Sequence, residues 1–206
     1  MAQPQVHPQA LPQPTAVLFG LSGCLVDFGA QTRLYGSGSA PHGQLTPGAE
    51  QALLSLRLQG IPCTWLDELP HSQSQSLAAE LPDWITASPR PQSIAPWPAP
   101  AACWSALMAL NIHRLDGCVL VSGEPRLLQS GLNAGLWTIG LASCGSLCGL
   151  APKEWQALSR QERELMRGKA TLQLFGLGVH SVIDHLGDLD TCLSDIGLRR
   201  RKGEKP

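Results

Sequence analysis

Short apolar runs alternate with longer amphipathic stretches through most of this chain. The run Ala16-Val17-Leu18-Phe19 is apolar at every position and stops at Gly20, in the turn GLSGC, which predicts a buried strand ending in a glycine-punctuated loop. Thr46-Pro47-Gly48 opens a helical period carried by Leu53, Leu54, Leu56 and Leu58, and Gly60 closes it. Residues 61–66 predict a second strand, 77–81 a short helix and 83–86 a third strand. A helix over 101–110, a strand over 118–121, a helix over 126–133 with Gly135 beyond its end, and a strand over 137–141 come next. A long polar helix over 153–174 and a last strand over 179–183 complete the series, while 29–44 is Gly- and Ser-rich with no helical period. Strands alternating with helices predict an α/β fold with a doubly wound, mainly parallel sheet, and ligands beyond the carboxyl ends of its strands.

Composition sets the limits of that fold. At 206 residues, 43% hydrophobic and 15% charged, the chain can fill one substantial core. Residues 1–14, MAQPQVHPQALPQP, are too rich in Pro and Gln to pack and are expected to form a disordered arm; 15–198 form the core domain and 199–206, RRRKGEKP, a basic disordered tail. A net charge of -1 gives no general attraction to nucleic acid or anionic membrane, so neither partner is expected, and the basic tail reads as a solvated end. No apolar run approaches the roughly 20 residues of a membrane span. The seven cysteines are odd in number, lie mostly in apolar runs and follow no secretory leader, which points to a reducing cytoplasm.

Several smaller signals carry chemistry. Cys144 and Cys148 form a C-x3-C pair that could bind zinc with His180 and His185, but a single pair is a weak signature and buried thiols explain it better. Cys24 could be a reactive thiolate at a helix start or a packed apolar residue; the second is favoured. Gly20-x-x-Gly23 could cradle an anion with backbone N–H groups, although turn geometry alone accounts for the glycines. Trp97 and Trp104 flank a proline-rich connection that would suit protein binding if exposed.

Four ordered segments, AVLFGLSGCLVDFGA (16–30), LTPGAEQALLSLRLQGIPCTW (45–65), SGEPRLLQSGLNAGLWTIGL (122–141) and GVHSVIDHLGDLDTCLSDI (178–196), together with SLCGLAPKEWQAL (146–158), resemble the phosphonoacetaldehyde hydrolase (phosphonatase) branch of the haloacid dehalogenase superfamily. The resemblance implies the superfamily's Rossmann-like core. It also implies a degenerate site. The family's nucleophilic aspartate falls on Gly20, which has no atom to attack phosphorus. Ser22 and Cys24 replace an alanine and a threonine, whereas Gly23, Val26, Asp27, Phe28 and Gly29 keep the pattern. At the metal motif the resemblance places Ser122, Gly123 and Glu124, with Leu127 at the later acid, so Mg²⁺ would find one carboxylate at most. The phosphonyl-binding arginine's segment here contains Trp97, and the phosphate loop after the second strand offers only Thr64, beside Asp67.

The family's helical cap, with its Schiff-base lysine, should lie between Gly29 and Thr46, an interval too short for it, and the first lysine of the chain is Lys153. The resemblance therefore implies a capless domain with no catalytic residues and no Mg²⁺ cofactor. Its expected role is binding or regulation through a protein partner or small ligand, linked to phosphorus metabolism by analogy. The alternative is a hydrolase or phosphatase with altered catalytic residues, built on Asp27, Glu124 or Cys24.

Overall fold

The computed structural model describes residues 11–35, 43–90 and 94–206. Five strands, β1 (Ala16–Gly20), β2 (Cys63–Leu66), β3 (Cys118–Ser122), β4 (Trp137–Leu141) and β5 (Ser181–Ile183), form one sheet in the order β2-β1-β3-β4-β5. Every pairing is parallel; Val17 lies opposite Cys63 on one side and Val119 on the other. The chain leaves β1 toward β2 and then crosses back to β3. The order therefore switches direction between β1 and β3, which opens a crevice at their carboxyl ends.

The helices are α1 (Gln31–Tyr35), α2 (Ala49–Leu58), α3 (His71–Ala78), α4 (Ala101–Ala109), α5 (Pro125–Asn133), α6 (Pro152–Ala157), α7 (Arg160–Gly176) and α8 (Leu189–Arg201). The two-residue period of a strand assigns them to faces. Val17, Phe19, Val119 and Val121 pack against Leu53 and Leu56 of α2 and Leu193 and Ile196 of α8. Ala16, Leu18, Cys118 and Leu120 pack on the opposite face against Cys103, Ala106 and Leu107 of α4 and Leu127 of α5. Leu128, Ala170 and Leu174 join α5 to α7. Each fully buried Leu or Phe contributes about 1.5–3 kcal/mol, so the two layers together oppose the entropy of ordering the chain. This is the doubly wound α/β core that the pattern predicts.

Local chemistry sets several boundaries. Gly48 precedes α2 with φ 81°, and a side-chain carbon there would lie 2.0 Å from the amide nitrogen of Gly187, so only glycine fits. Pro125 starts α5, and Ser159 caps α7 in a reciprocal box with Glu162.

The structure corrects four of the elements and one boundary. Residues 83–86 are not a strand: Ile85 N bonds back to Pro82 O in a turn, and the chain meets β2 just beyond, through an isolated Trp65–Ala87 bridge and the bonds of Thr64 and Trp65 to Thr86 O. Pro82 removes a donor where a ladder would need one. The helix expected at 77–81 lies earlier, beginning after Pro70. The helix expected over 153–174 is two, because Leu158 turns extended (ψ 145°) before the Ser159 cap. Within 29–44, residues Gln31–Tyr35 are helical.

The end of the chain also differs from its expected boundary at 199. α8 continues through Arg201, and Arg200 pairs with Asp116 at 2.9 Å while donating to the carbonyl of Gln13 at 2.8 Å. That bond holds the end of the expected N-terminal arm against α8; residues 1–10 of the arm lie outside the described residues. Among the described residues, no helix is long and apolar enough to cross a membrane.

Candidate functional site

The crevice between β1 and β3 is built from the loops that leave the strands. After β1 the chain turns tightly: Gly23 N donates to Val26 O at 2.9 Å, and Asp27 adopts φ 59°. Asp27 is fully buried; its Oδ2 accepts from Ser22 Oγ at 2.7 Å and from Thr32 N at 3.1 Å. Asp27 and Ser22 therefore brace the turn from inside and do not face the crevice. Backbones of three loops meet beneath it. A side-chain carbon on Gly123 would lie 2.4 Å from both Gly145 Cα and Gly23 O.

At the mouth, β1 ends on Gly20, whose missing side chain makes room for Ser122 at the end of β3. A carbon added to Gly20 would stand 2.7 Å from Ser122 Oγ. That hydroxyl accepts from Glu124 N at 2.9 Å. Glu124 caps α5: one carboxylate oxygen accepts from Arg126 N at 3.2 Å, and the other from Ser146 Oγ at 3.3 Å.

A residue that the sequence reading did not single out spans the crevice. Arg33, on α1, places Nη2 2.5 Å from Asp67 Oδ1 and Nε 3.8 Å from Glu124 Oε2. Its guanidinium lies 5.2 Å from the centre of the Trp97 ring, within cation–π range. The Asp67 side chain is 1% exposed and that of Arg33 18%. Burial pushes the Asp67 carboxyl above its ordinary value, against Arg33 and the Leu69 and Glu68 amides, which pull it down. A second bridge lies alongside: Glu68 accepts from Trp97 N at 2.7 Å and pairs with Arg126 at 3.5 Å, and Arg126 donates to Trp97 O. Asp67, Glu68, Arg90, Pro96 and Trp97 line an adjoining cleft of about 490 Å³.

Of the positions singled out in the sequence, Gly20, Asp67, Trp97, Ser122, Gly123 and Glu124 come together around the carboxyl ends of β1, β2 and β3, with Arg33 added. The others lie elsewhere. Thr64 turns its hydroxyl to Thr86 O at 2.7 Å on the sheet edge, and Leu127 is core. Cys24 is fully buried, and burial followed by the neighbouring Cys144 pushes its thiol well above the usual range, which disfavours the thiolate. Trp97 is buried, so it forms no exposed patch with Trp104.

The zinc constellation does not assemble. His180 Nδ1 accepts from Thr138 N at 3.0 Å at the start of β4, Cys148 bonds Ala142 O at 2.9 Å beyond the end of β4, and His185 follows β5. Burial lifts the Cys144 thiol to about 12 and the Cys148 thiol to about 11. Among the described residues no three His, Cys, Asp or Glu groups are placed to hold a metal. Lys153, the first lysine, is exposed on α6.

No family model matches the chain. The phosphonoacetaldehyde hydrolase of Pseudomonas putida (strain W619) is 31% identical over 173 residues, covering 81% of this chain and 62% of that protein. A crystal structure of a protein 66% identical covers 94% of this chain and all of its own at a TM-score of 0.90. A phosphonoacetaldehyde hydrolase like protein from Oleispira antarctica matches over 100% of both chains at TM-score 0.82 with 22% identity. A haloacid dehalogenase family hydrolase from Deinococcus radiodurans, with bound phosphate and sodium, matches 90% of this chain and 97% of its own at TM-score 0.60 and 18% identity. This chain is a phosphonatase-like member of the haloacid dehalogenase superfamily. It spans about three fifths of the length of the curated relatives it matches first (62%).

Proposed function

We propose that this phosphonatase-like domain no longer hydrolyses phosphonates and acts as a binding or regulatory protein in the cytoplasm, with a protein or small ligand as its partner. A role in phosphorus metabolism follows by analogy with the phosphonoacetaldehyde hydrolases it resembles. The observation that carries the reading is Arg33. Its guanidinium pairs with Asp67 and approaches Glu124 where an anionic substrate would enter, while the nucleophile's position is Gly20, packed against Ser122. A carboxylate is needed to form an acyl phosphate, and a lysine amine to convert an aldehyde into the iminium electron sink for C–P cleavage. Gly20 supplies no carboxylate at the nucleophile's position, the carboxylates of Asp67 and Glu124 are turned to Arg33, and the first lysine, Lys153, lies away on α6. The domain is also read as capless, since 16 positions separate Gly29 from Thr46 and Gln31–Tyr35 form one short helix there.

A Mg²⁺ site fits the residues poorly. Gly20, Ser122, Gly123 and Leu127 bring no carboxylate, and the two acids present already share Arg33. The test is acetaldehyde release from phosphonoacetaldehyde by the purified protein with Mg²⁺, against a no-enzyme control. No release above control is expected. Turnover that Glu124→Ala or Asp27→Asn abolishes would overturn the reading.

One observation favours a second reading, a hydrolase with altered catalytic residues: Asp67 and Glu124 approach one guanidinium from facing loops, so a divalent cation in its place would meet two oxygen ligands. Calorimetric Mn²⁺ binding by Arg33→Ala, with p-nitrophenyl phosphate turnover, would favour it.

A further inference from the structure

α7 carries Arg160, Arg163 and Arg167 at i, i+3 and i+7, along one side of the helix and about 10 Å from first to last at 1.5 Å per residue. With Ser143 after β4, Trp155 of α6 and Asp184 and His185 after β5, they line a concave site of about 430 Å³. It lies at the carboxyl ends of β4 and β5, lined by none of the residues Gly20, Ser122, Arg33, Asp67 or Glu124.

The charges in this cleft do not cancel. Arg160 pairs with Glu164 at 2.9 Å and Arg167 with Asp184 at 2.5 Å. Arg163 makes no ion pair among the described residues, and its Nε is buried with no hydrogen-bond partner. Two carboxylates thus face three guanidinium groups, each a five-donor fork. His185 adds a further donor. Its Nδ1 accepts from Gly187 N at 3.1 Å, which leaves the proton of the neutral ring on Nε2.

We propose that this cleft is an anion-binding site for a small molecule carrying a diphosphate or a comparable pair of phosphate charges. Guanidinium forks recognise phosphate oxygens through paired, charge-assisted hydrogen bonds. Three forks along about 10 Å exceed what one tetrahedral phosphate can engage, and suit two linked ones. The volume is that of a small-molecule site. The cavity is separate from the Arg33 crevice, so the inference stands whether or not hydrolysis has been lost.

The experiment is isothermal titration calorimetry of the full chain with pyrophosphate, without divalent cations, at two salt concentrations. We expect saturable binding of one pyrophosphate, weaker binding of inorganic phosphate, and weakening by salt. Arg163→Met should reduce affinity at least about tenfold, Arg163→Lys less, and Arg57→Ala on α2 not at all. Circular dichroism of each variant confirms that the fold is kept. No saturable binding, binding that survives Arg163→Met, or an equal loss in Arg57→Ala overturns the site; phosphate binding as tightly as pyrophosphate overturns the two-charge ligand.

Discussion

Replacing Arg33 with methionine tests the crevice most directly, because it removes the cation and keeps an unbranched side chain of similar length. Asp67 would then be a buried carboxylate without its ion partner. Removing one member of a buried pair costs about 3–5 kcal/mol when the survivor has nothing else. Asp67 retains the amides of Glu68 at 2.7 Å and Leu69 at 3.2 Å and the Ser74 hydroxyl at 3.4 Å, and Arg33 is only partly buried. A loss of about 2–3 kcal/mol at neutral pH is therefore expected, or roughly 5–10 °C in Tm for a domain of this size.

The pH dependence has a definite sign. Burial raises the folded-state value of Asp67 above the ordinary carboxyl value of 3.8, so the folded state holds its proton more tightly than the unfolded chain. Folded stability consequently falls as pH rises from 3.8 through that elevated value, and it recovers on acidification. Arg33 is the largest of the influences lowering the Asp67 value, so Arg33→Met lifts it further and deepens the loss at neutral pH. The deficit of the variant must shrink as the pH drops below the elevated value. Urea denaturation followed by circular dichroism at neutral and acid pH measures both effects, and Asp67→Asn in the same background should make the Arg33 substitution cheaper by about 2 kcal/mol. A variant within about 0.5 kcal/mol of wild type at neutral pH, or a deficit that does not change with pH, would refute the assignment.

Gly20→Asp is expected to give no acetaldehyde release and to lose about 1–3 kcal/mol, because Ser122 Oγ must rotate away from Glu124 N; equilibrium unfolding beside the acetaldehyde assay checks both. Gly123→Ala should cost more than about 2 kcal/mol in urea denaturation, since the added methyl meets backbone atoms of Gly145 and Gly23 that cannot turn aside. In native protein the seven buried cysteines should react slowly with a chromogenic disulfide reagent at neutral pH and rapidly after denaturation, and a fast native phase lost in Cys24→Ser would contradict the inert reading of that thiol.

The core strands were legible because β1, β3 and β4 are buried on both faces and so read as unbroken apolar runs. The β2–α4 connection was less so: 83–86 has strand-like residues, but Pro82 and a turn decide its path, and local composition does not reveal which bond wins. α8 escaped notice because its apolar positions, Leu189, Leu193 and Ile196, are separated by charged and polar residues. At the site, Gly20 and Glu124 could be placed by alignment with a known pattern. Arg33 could not. It is a single cation in a stretch without periodicity, and its meaning depends on Asp67 and Glu124, 34 and 91 positions away, reaching it in space. Asp67 was visible only as a charge unfavourable to phosphate, since its partner was unknown.

Arg200 ties together places far apart in the chain: its guanidinium holds Asp116 and the carbonyls of Pro12 and Gln13 from the last turns of α8. Fraying at either end of the domain must break the same clasp, so the two ends should loosen as one event. Labels attached near residue 13 and near residue 200 would sit side by side, and their separation would report on the integrity of the whole sheet between them. The basic residue that reads in sequence as part of a trailing tail is, in three dimensions, the fastener of a closed ring.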